Sequence, residues 1–244
     1  MSVRVLLGSG GFRTPERVQV LHDAMRTHFG DIPRLLFIPY AIEDHDAYAQ
    51  ILVERGLSAG YAIDAIHRHA DAIEAVQGAH AIYIGGGNTF RLLHALYRFG
   101  LLEPIRQRVR AGVPYLGVSA GANVAGPTIK TTNDLPIIQP PSFDALGLVP
   151  FQINPHYYTG SNWVKQDSEL HEHFGETRDD RLREFHEVND APVVALWEAG
   201  LLHCDGERVR LSAAPARVFR KGQPMVDVAP GDDLTELLNR LTPK

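Results

Sequence analysis

The chain has 244 residues, and its 24 Lys and Arg against 29 Asp and Glu give a formal net charge of −5. A nucleic-acid partner requires a clustered basic face, so this mild acidic excess predicts no such partner. The single cysteine, Cys204, excludes an internal disulfide, and no apolar run approaches the ~20 residues that cross a bilayer. This length suffices to bury one full α/β core, and no linker rich in Gly, Ser or Pro divides it. We therefore predict one domain over residues 1–244.

The first seven residues run directly into a strand-like segment and lack the apolar core and cleavage site of a signal peptide. We therefore expect a cytoplasmic protein without membrane contact. The sequence leaves open whether it is a monomer or a homodimer.

Short apolar runs alternate with helical patterns through the first two-thirds of the chain. Four runs predict buried strands, at residues 3–7, 34–39, 81–84 and 114–118. Helices are predicted from Pro15 with Thr14 as the N-cap, from about Thr89, and over residues 102–111. This alternation implies right-handed β-α-β units and a mostly parallel sheet covered by helices on both faces, which is a three-layer α/β/α sandwich.

The last third of the chain changes character. Strands are predicted at residues 151–154 and 193–196, and helices at residues 178–188 and 233–241. Asp205-Gly206 and Lys221-Gly222 are typical of hairpin turns. Residues 156–175 show little periodicity, and we predict a long loop there, of the kind that serves as a lid or an insertion.

Residues 117–121 read Gly-Val-Ser-Ala-Gly and fit the pattern G-x-S-x-G. They follow a predicted strand and precede a short helical run at residues 120–125, which is the context that a nucleophile elbow requires. A sharp turn there exposes the Ser119 hydroxyl, and the flanking glycines leave room for a strained backbone. The pattern predicts that Ser119 is a nucleophile; the alternative is a Gly-Ser turn that only caps a helix.

A serine nucleophile needs a base, and the base needs a carboxylate that orients it. His156 follows a predicted strand end and therefore belongs to the same sheet edge as Ser119. Glu198 also follows a predicted strand, and Asp134 competes with it for the role of carboxylate. The order Ser119, His156, Glu198 differs from that of α/β-hydrolases, in which the acid precedes the histidine.

Two further glycine-rich turns follow predicted strands. In residues 85–88, Gly-Gly-Gly-Asn, a backbone N–H of Gly86 or Gly87 together with that of Ala120 is predicted to form an oxyanion hole. This run lacks the Lys-Ser/Thr ending of a phosphate loop, and residues 8–13 miss the dinucleotide pattern at Arg13, so no nucleotide cofactor is expected. No metal site is predicted either.

Several blocks along the chain carry a family pattern. The most specific runs over residues 117–123 and continues through 126–129 to 131–136; others lie at 85–90, 143–146, 152–156 and 175–178. Together they resemble peptidase E, the aspartyl dipeptidase family, over most of the chain. The resemblance implies an α/β fold related to class I glutamine amidotransferases, with a serine in place of their nucleophilic cysteine.

The resemblance also implies roles for individual residues. Ser119 is then the nucleophile, His156 the base, Glu198 the third member and Asp134 a nearby acid. Gly86 or Gly87 with Ala120 form the oxyanion hole, and Arg178 binds the side-chain carboxylate of an N-terminal aspartate. Without the resemblance, Arg178 reads as a solvated charge.

The implied activity is hydrolysis of Asp-Xaa dipeptides without a cofactor. Asn88, Asp134 and Glu198 are the candidates that bind the free α-amine. Three alternatives remain: a cyanophycinase-like serine hydrolase acting on β-aspartyl peptides, a non-catalytic binding protein, and the disfavoured Cys-type amidotransferase relative. The segment between His156 and Gly175 is longer than the family's usual spacing, which leaves the substrate range less defined than the chemistry.

Overall fold

A computed structural model describes residues 3–239 of the chain. The strands are β1 (Arg4–Gly8), β2 (Arg34–Ile38), β3 (Ala62–Ala65), β4 (Ile82–Ile84), β5 (Tyr115–Val118), β6 (Gln152–Asn154), β7 (Asn162–Gln166), β8 (Glu169–His173), β9 (Val193–Leu196), β10 (Leu201–Asp205), β11 (Arg208–Ser212), β12 (Ala216–Phe219) and β13 (Val226–Val228). The α-helices are α1 (Pro15–Phe29), α2 (His45–Glu54), α3 (Ala72–Gly78), α4 (Thr89–Arg98), α5 (Leu102–Arg110), α6 (Ala120–Asn123), α7 (Arg178–Val188) and α8 (Thr235–Asn239).

The main sheet has seven strands in the order β11-β10-β1-β5-β4-β2-β3. The pairings from β1 through β5, β4 and β2 to β3 are parallel, and β10 and β11 extend the sheet antiparallel to β1. The predicted α/β fold with a mostly parallel sheet is therefore confirmed. The hairpin predicted at Asp205-Gly206 forms, with Gly206 and Glu207 as its turn residues, and supplies the antiparallel edge.

Both faces of this sheet are buried because helices cover each of them, and successive side chains of a strand point to opposite faces. Leu36 and Ile38 of β2 pack into one apolar cluster, with α3, α4 and α5, whereas Leu35 and Phe37 pack into another, with α1 and α2. The inner strands β1, β2, β4 and β5 are therefore mostly apolar on both faces, which is why they were recognisable as short apolar runs.

A second sheet, in the order β13-β12-β9-β6, was not anticipated as a separate unit. The predicted strands at 151–154 and 193–196 pair with each other in parallel here and do not join the main sheet. Val194 and Leu196 face the main core, whereas Val193 and Ala195 pack on α7 through Leu182 and Phe185. This sheet therefore lies between the main core and α7, and it carries two predicted strand ends toward the candidate site.

The prediction of a structureless loop over residues 156–175 is wrong, because β7 and β8 form an antiparallel hairpin there. Nearly every side chain of the hairpin is exposed on both faces, so its sequence has no alternation that marks a strand. The turn has Asp167 at a positive φ of 55°, a conformation that Asp tolerates better than most residues.

Other local predictions hold where a cap residue defines the element. Thr14 accepts a hydrogen bond from the Arg17 N–H at the start of α1, and α7 has the predicted bounds.

Strand β3 and helices α2 and α3 were not predicted. The predicted last helix begins at Thr235, and its predicted end at residue 241 lies outside the described residues. None of the helices within residues 3–239 combines the length and apolarity that spanning a membrane needs.

Candidate active site

Three glycine-rich turns meet at one edge of the main sheet, as expected from the strands that they follow. Gly8 and Val118 are register partners at the ends of β1 and β5, and the Ser119 N–H donates to the Gly8 carbonyl over 2.9 Å. A Cβ placed on Gly86 would lie 3.0 Å from Ser119 Cβ, so the turn after β4 borders the same serine. The carboxyl ends of parallel strands form the ligand site in such sheets.

Ser119 occupies a strained backbone position, with φ 55° and ψ −111°, between β5 and α6. The residues two positions before and after it must be glycines because the turn is crowded. A Cβ at Gly117 would lie 2.3 Å from the Gly121 carbonyl oxygen, and one at Gly121 would lie 2.1 Å from that of Ile84. Strain held by surrounding structure at a single serine is typical of a nucleophile elbow.

Gly121→Ala is expected to lower the free energy of unfolding by about 1–3 kcal/mol or more, because the added methyl group collides with the rigid backbone of β4. The matched control is Gly78→Ala at the end of α3, where a Cβ would meet no atom within 4 Å. Chemical denaturation of both variants measures the difference. Equal stability of the two would contradict the crowding at the elbow.

A continuous hydrogen-bonded relay joins three of the predicted site residues. Ser119 Oγ lies 2.9 Å from His156 Nε2, and His156 Nδ1 lies 2.9 Å from Glu198 Oε1. The His156 and Glu198 side chains are 40% and 43% exposed, so a small substrate can reach the relay from solvent. The arrangement has the connectivity of a serine, a base and the carboxylate that fixes its tautomer.

The glycine-rich turn after β1 packs against His156 and Glu198. His156 has a positive φ of 55°, and its N–H donates to Ser9 Oγ over 2.8 Å. Ser9 is fully buried, and its hydroxyl donates in turn to the Leu196 carbonyl over 3.0 Å. A Cβ on Gly10 would lie 2.6 Å from the His156 ring, and one on Gly11 would lie 2.1 Å from Glu198 Oε2. This turn, which sequence reasoning set aside as a failed nucleotide loop, therefore positions the histidine and the glutamate.

Asp134 does not contact His156. Its Oδ2 accepts hydrogen bonds from the Thr89 N–H at 2.7 Å, from Thr89 Oγ1 at 2.6 Å and from Thr132 Oγ1 at 3.1 Å. It therefore caps the start of α4 together with Thr132. Of the two carboxylates between which the sequence left the choice open, Glu198 is the one that lies within hydrogen-bond distance of His156.

The Gly85–Asn88 run and the start of α6 provide backbone donors near Ser119. The Gly85 and Asn88 N–H groups donate to the carbonyls of Ile38 and Ala41. The Tyr48 hydroxyl lies against this run, since a Cβ on Gly85 would be 2.4 Å from it, and burial raises the pKa of that phenol to about 12. Among the described residues, neither the Gly86 nor the Gly87 N–H has a backbone acceptor. As the first residue of α6, Ala120 has an N–H without an intrahelical acceptor.

Asn88, predicted to bind a substrate amine, has both ends of its side chain engaged within the protein. Its Oδ1 accepts from the Arg91 N–H at 3.0 Å, and its Nδ2 donates to the Leu135 carbonyl at 2.9 Å. Asn88 is therefore the N-cap of α4, and the geometry does not support the predicted contact with substrate. Within residues 3–239, no three His, Cys, Asp or Glu side chains are grouped as ligands for a metal ion.

Arg178, at the start of α7, is half-buried and lacks an anionic partner. One guanidinium N–H donates to Asn133 Oδ1, and the guanidinium carbon lies 5.3 Å from the centre of the Tyr158 ring. Its Nε is buried without a hydrogen-bond partner, and within the described part of the chain no carboxylate lies within 4.0 Å of its nitrogens. Burial lowers the pKa of this guanidinium. An arginine in this state is suited to bind a carboxylate from outside the protein.

The segments that carry His156 and Arg178 are tied together by a second polar group. The Tyr157 hydroxyl donates to Asp179, and Arg217 donates to the other oxygen of that carboxylate over 3.0 Å. Burial raises the pKa of the Tyr157 phenol above its usual range, and the adjacent Asp179 raises it further. Sequence reasoning missed these residues, because nothing local links Arg217 to the other two.

The family model described as peptidase family S51 matches residues 5–212. "Peptidase E" of Streptomyces coelicolor is 46% identical over 226 residues, covering 90% of this chain and 89% of the relative. "Probable alpha-aspartyl dipeptidase" of Drosophila melanogaster is 43% identical over 212 residues, covering 86% and 85%.

A solved structure supports the fold. The crystal structure of a peptidase from an acI-B1 Actinobacterium superposes with a TM-score of 0.64 at 18% sequence identity, covering 96% of each chain. At that identity the likeness concerns the fold alone. The family match and the identities above 40% carry the assignment: this chain is a peptidase that belongs to peptidase family S51.

Proposed function

We propose that this chain is a serine dipeptidase that removes the N-terminal aspartate from Asp-Xaa dipeptides. The observation that carries the proposal is the relay from Ser119 through His156 to Glu198, with both hydrogen bonds at 2.9 Å. The names of the relatives from Streptomyces coelicolor and Drosophila melanogaster agree with the reaction class.

In the first half of the proposed reaction, His156 Nε2 takes the proton of the Ser119 hydroxyl as Oγ attacks the carbonyl carbon of the aspartyl residue. Glu198 accepts a hydrogen bond from the opposite ring nitrogen and stabilises the imidazolium that forms. The imidazolium then gives its proton to the departing amine as the peptide C–N bond breaks. The aspartyl group remains as an ester on Ser119.

In the second half, a water molecule attacks the ester carbon while His156 takes its proton, and free aspartate leaves as Ser119 regains its hydrogen. The negative oxygen formed in each half needs donors that are already in place. We assign this role to the N–H group of Gly86 or Gly87, together with that of Ala120.

Selectivity for aspartate is assigned to Arg178. A half-buried guanidinium that has only an amide oxygen and an aromatic ring as partners is better satisfied once a carboxylate binds it. Asparagine has the same shape as aspartate but no charge, so it leaves the arginine uncompensated. The site therefore favours aspartate over its amide.

Arg178→Ala is expected to reduce the preference for Asp-Leu over Asn-Leu by about 30-fold to several thousand-fold, since removing one side of a buried charged pair costs about 2–5 kcal/mol. The measurement is kcat/KM for both dipeptides. Arg183→Ala is the control, because Arg183 lies on the same helix and is exposed. An unchanged Asp-to-Asn ratio in Arg178→Ala would remove Arg178 from substrate recognition.

The proposed function is tested by assaying Asp-Leu, Asn-Leu, Glu-Leu, Leu-Leu and β-Asp-Arg, together with fluorophosphonate labelling of Ser119. Cleavage of Asp-Leu alone supports the proposal. Cleavage of β-Asp-Arg without Asp-Leu identifies a β-aspartyl hydrolase. A labelled serine with no cleavage retains the hydrolase but discards the aspartyl selectivity, and an unlabelled serine points to a binding protein.

We further infer that residues 1–244 form one domain, because side chains of both sheets contribute to one apolar cluster, including Val5 and Leu7 of β1 and Val194 of β9. The family match over residues 5–212 agrees with a single unit. A cytoplasmic location fits a lone cysteine that is buried. A monomer or a homodimer is the proposed assembly state.

A further inference from the structure

Asn133 contacts both halves of the candidate site. Its Oδ1 accepts from the Arg178 guanidinium and, at 3.0 Å, from Asn154 Nδ2. Its Nδ2 donates to the Pro155 carbonyl at 2.8 Å, immediately before His156. The orientation of the amide is fixed by these partners, since Arg178 and Asn154 are donors and the carbonyl is an acceptor.

The contact between Asn133 and Arg178 differs from the usual pairing of a half-buried arginine, because Asn133 carries no charge. A half-buried arginine is ordinarily paired with a carboxylate, because an uncompensated charge is costly to bury. Here the amide oxygen of Asn133 orients the guanidinium of Arg178 without neutralising its charge, and the Tyr158 ring lies over the guanidinium. The nearby Asp134 carboxylate is engaged by Thr89 and Thr132 and lies outside ion-pair distance of Arg178.

We propose that Asn133 is a specificity-determining residue, which holds Arg178 in place while leaving its positive charge free for the substrate carboxylate. This role rests on the proposed aspartyl dipeptidase function. In this proposal Asn133 acts through Arg178, as a positioning residue. A carboxylate at position 133 would occupy the same place but would pair with the arginine and compete with the substrate.

The test is the ratio of kcat/KM for Asp-Leu to that for Asn-Leu in Asn133→Asp. The ratio is expected to fall at least tenfold, with most of the loss in the KM for Asp-Leu. Asn133→Asp also removes the N–H group that donates to the Pro155 carbonyl, and this loss disturbs His156. That disturbance lowers turnover of both dipeptides equally and leaves the ratio of their kcat/KM values unchanged. Gln223→Glu, at an exposed turn between β12 and β13, adds the same charge elsewhere and is expected to leave the ratio at its wild-type value.

Asn133→Ser is the second variant, since it removes the amide that binds Arg178 and adds no charge. In this variant the ratio of kcat/KM for Asp-Leu to that for Asn-Leu is expected to fall about threefold to tenfold, which is less than in Asn133→Asp. If Asn133→Asp does not fold, the ratio in Asn133→Ser tests the proposal alone. An unchanged ratio in either folded variant, or an equal loss in both, would overturn the proposal. Wild-type enzyme that cleaves Asp-Leu and Asn-Leu equally well would overturn the proposed function and this inference with it.

Discussion

Replacing Ser119 with alanine is expected to lower kcat for Asp-Leu by roughly 10⁵–10⁶-fold, the loss that follows removal of a triad nucleophile. The covalent route is lost entirely in this variant, because no other hydroxyl occupies the elbow between β5 and α6. Residual hydrolysis depends on the oxyanion donors and substrate binding alone. The fold should be retained, since alanine has the same backbone preferences at this strained position and removes only the hydroxyl.

The measurement is steady-state turnover, with circular dichroism and fluorophosphonate labelling on the same preparations. Ser168→Ala is the matched control, because Ser168 lies at the exposed turn between β7 and β8. Turnover in Ser119→Ala close to that of wild type would exclude this serine from the reaction. Loss of turnover together with loss of native structure would indicate only that the elbow is needed for folding.

Glu198→Gln is expected to lower kcat by roughly 10⁴-fold, as for the analogous acid-to-amide change in serine proteases. The amide retains the shape of the side chain, but it no longer stabilises the imidazolium, and its NH₂ group can favour the wrong tautomer of His156. The effect should appear in kcat rather than in KM, because Glu198 contacts His156 and the proposed aspartate carboxylate is bound elsewhere, at Arg178.

Asp134→Asn is the informative comparison. Asp134 caps α4 through Thr89 and Thr132, so an amide oxygen can still accept those hydrogen bonds, and kcat should fall far less than in Glu198→Gln. Measuring both variants on Asp-Leu distinguishes the two carboxylates directly. A larger loss in Asp134→Asn would mean that the triad is completed differently from the relay described above.

The two carboxylates also illustrate why chain order is a poor guide to a catalytic site. The order Ser119, His156, Glu198 already indicated that the α/β-hydrolase arrangement does not apply, provided that Glu198 is the orienting acid. The structure adds the reason: β6 and β9, which precede His156 and Glu198, are neighbours in the second sheet and end side by side. The serine follows a strand of the main sheet, so the hydrogen-bonded group of Ser119, His156 and Glu198 is assembled across two sheets.

The hairpin β7–β8 and the turn after β1 were not fully predicted from the sequence, for two different reasons. The hairpin was missed because its exposed strands carry no apolar alternation, and its residues gain their structure only by pairing with each other. The turn was recognised as glycine-rich, but its purpose was not apparent. Its glycines are required by the His156 ring and the Glu198 carboxylate, which lie more than a hundred residues away in sequence.

The sequence by itself determined the features whose causes are local. Apolar runs on both faces of a strand identify a covered parallel sheet, a Thr-Pro pair starts α1, and the small residues around Ser119 specify the elbow. Only the tertiary structure decided which of the two acids contacts His156 and which residue holds Arg178. Those contacts join residues 37 to 45 positions apart, and sheet order, rather than any periodicity, brings them within hydrogen-bond distance.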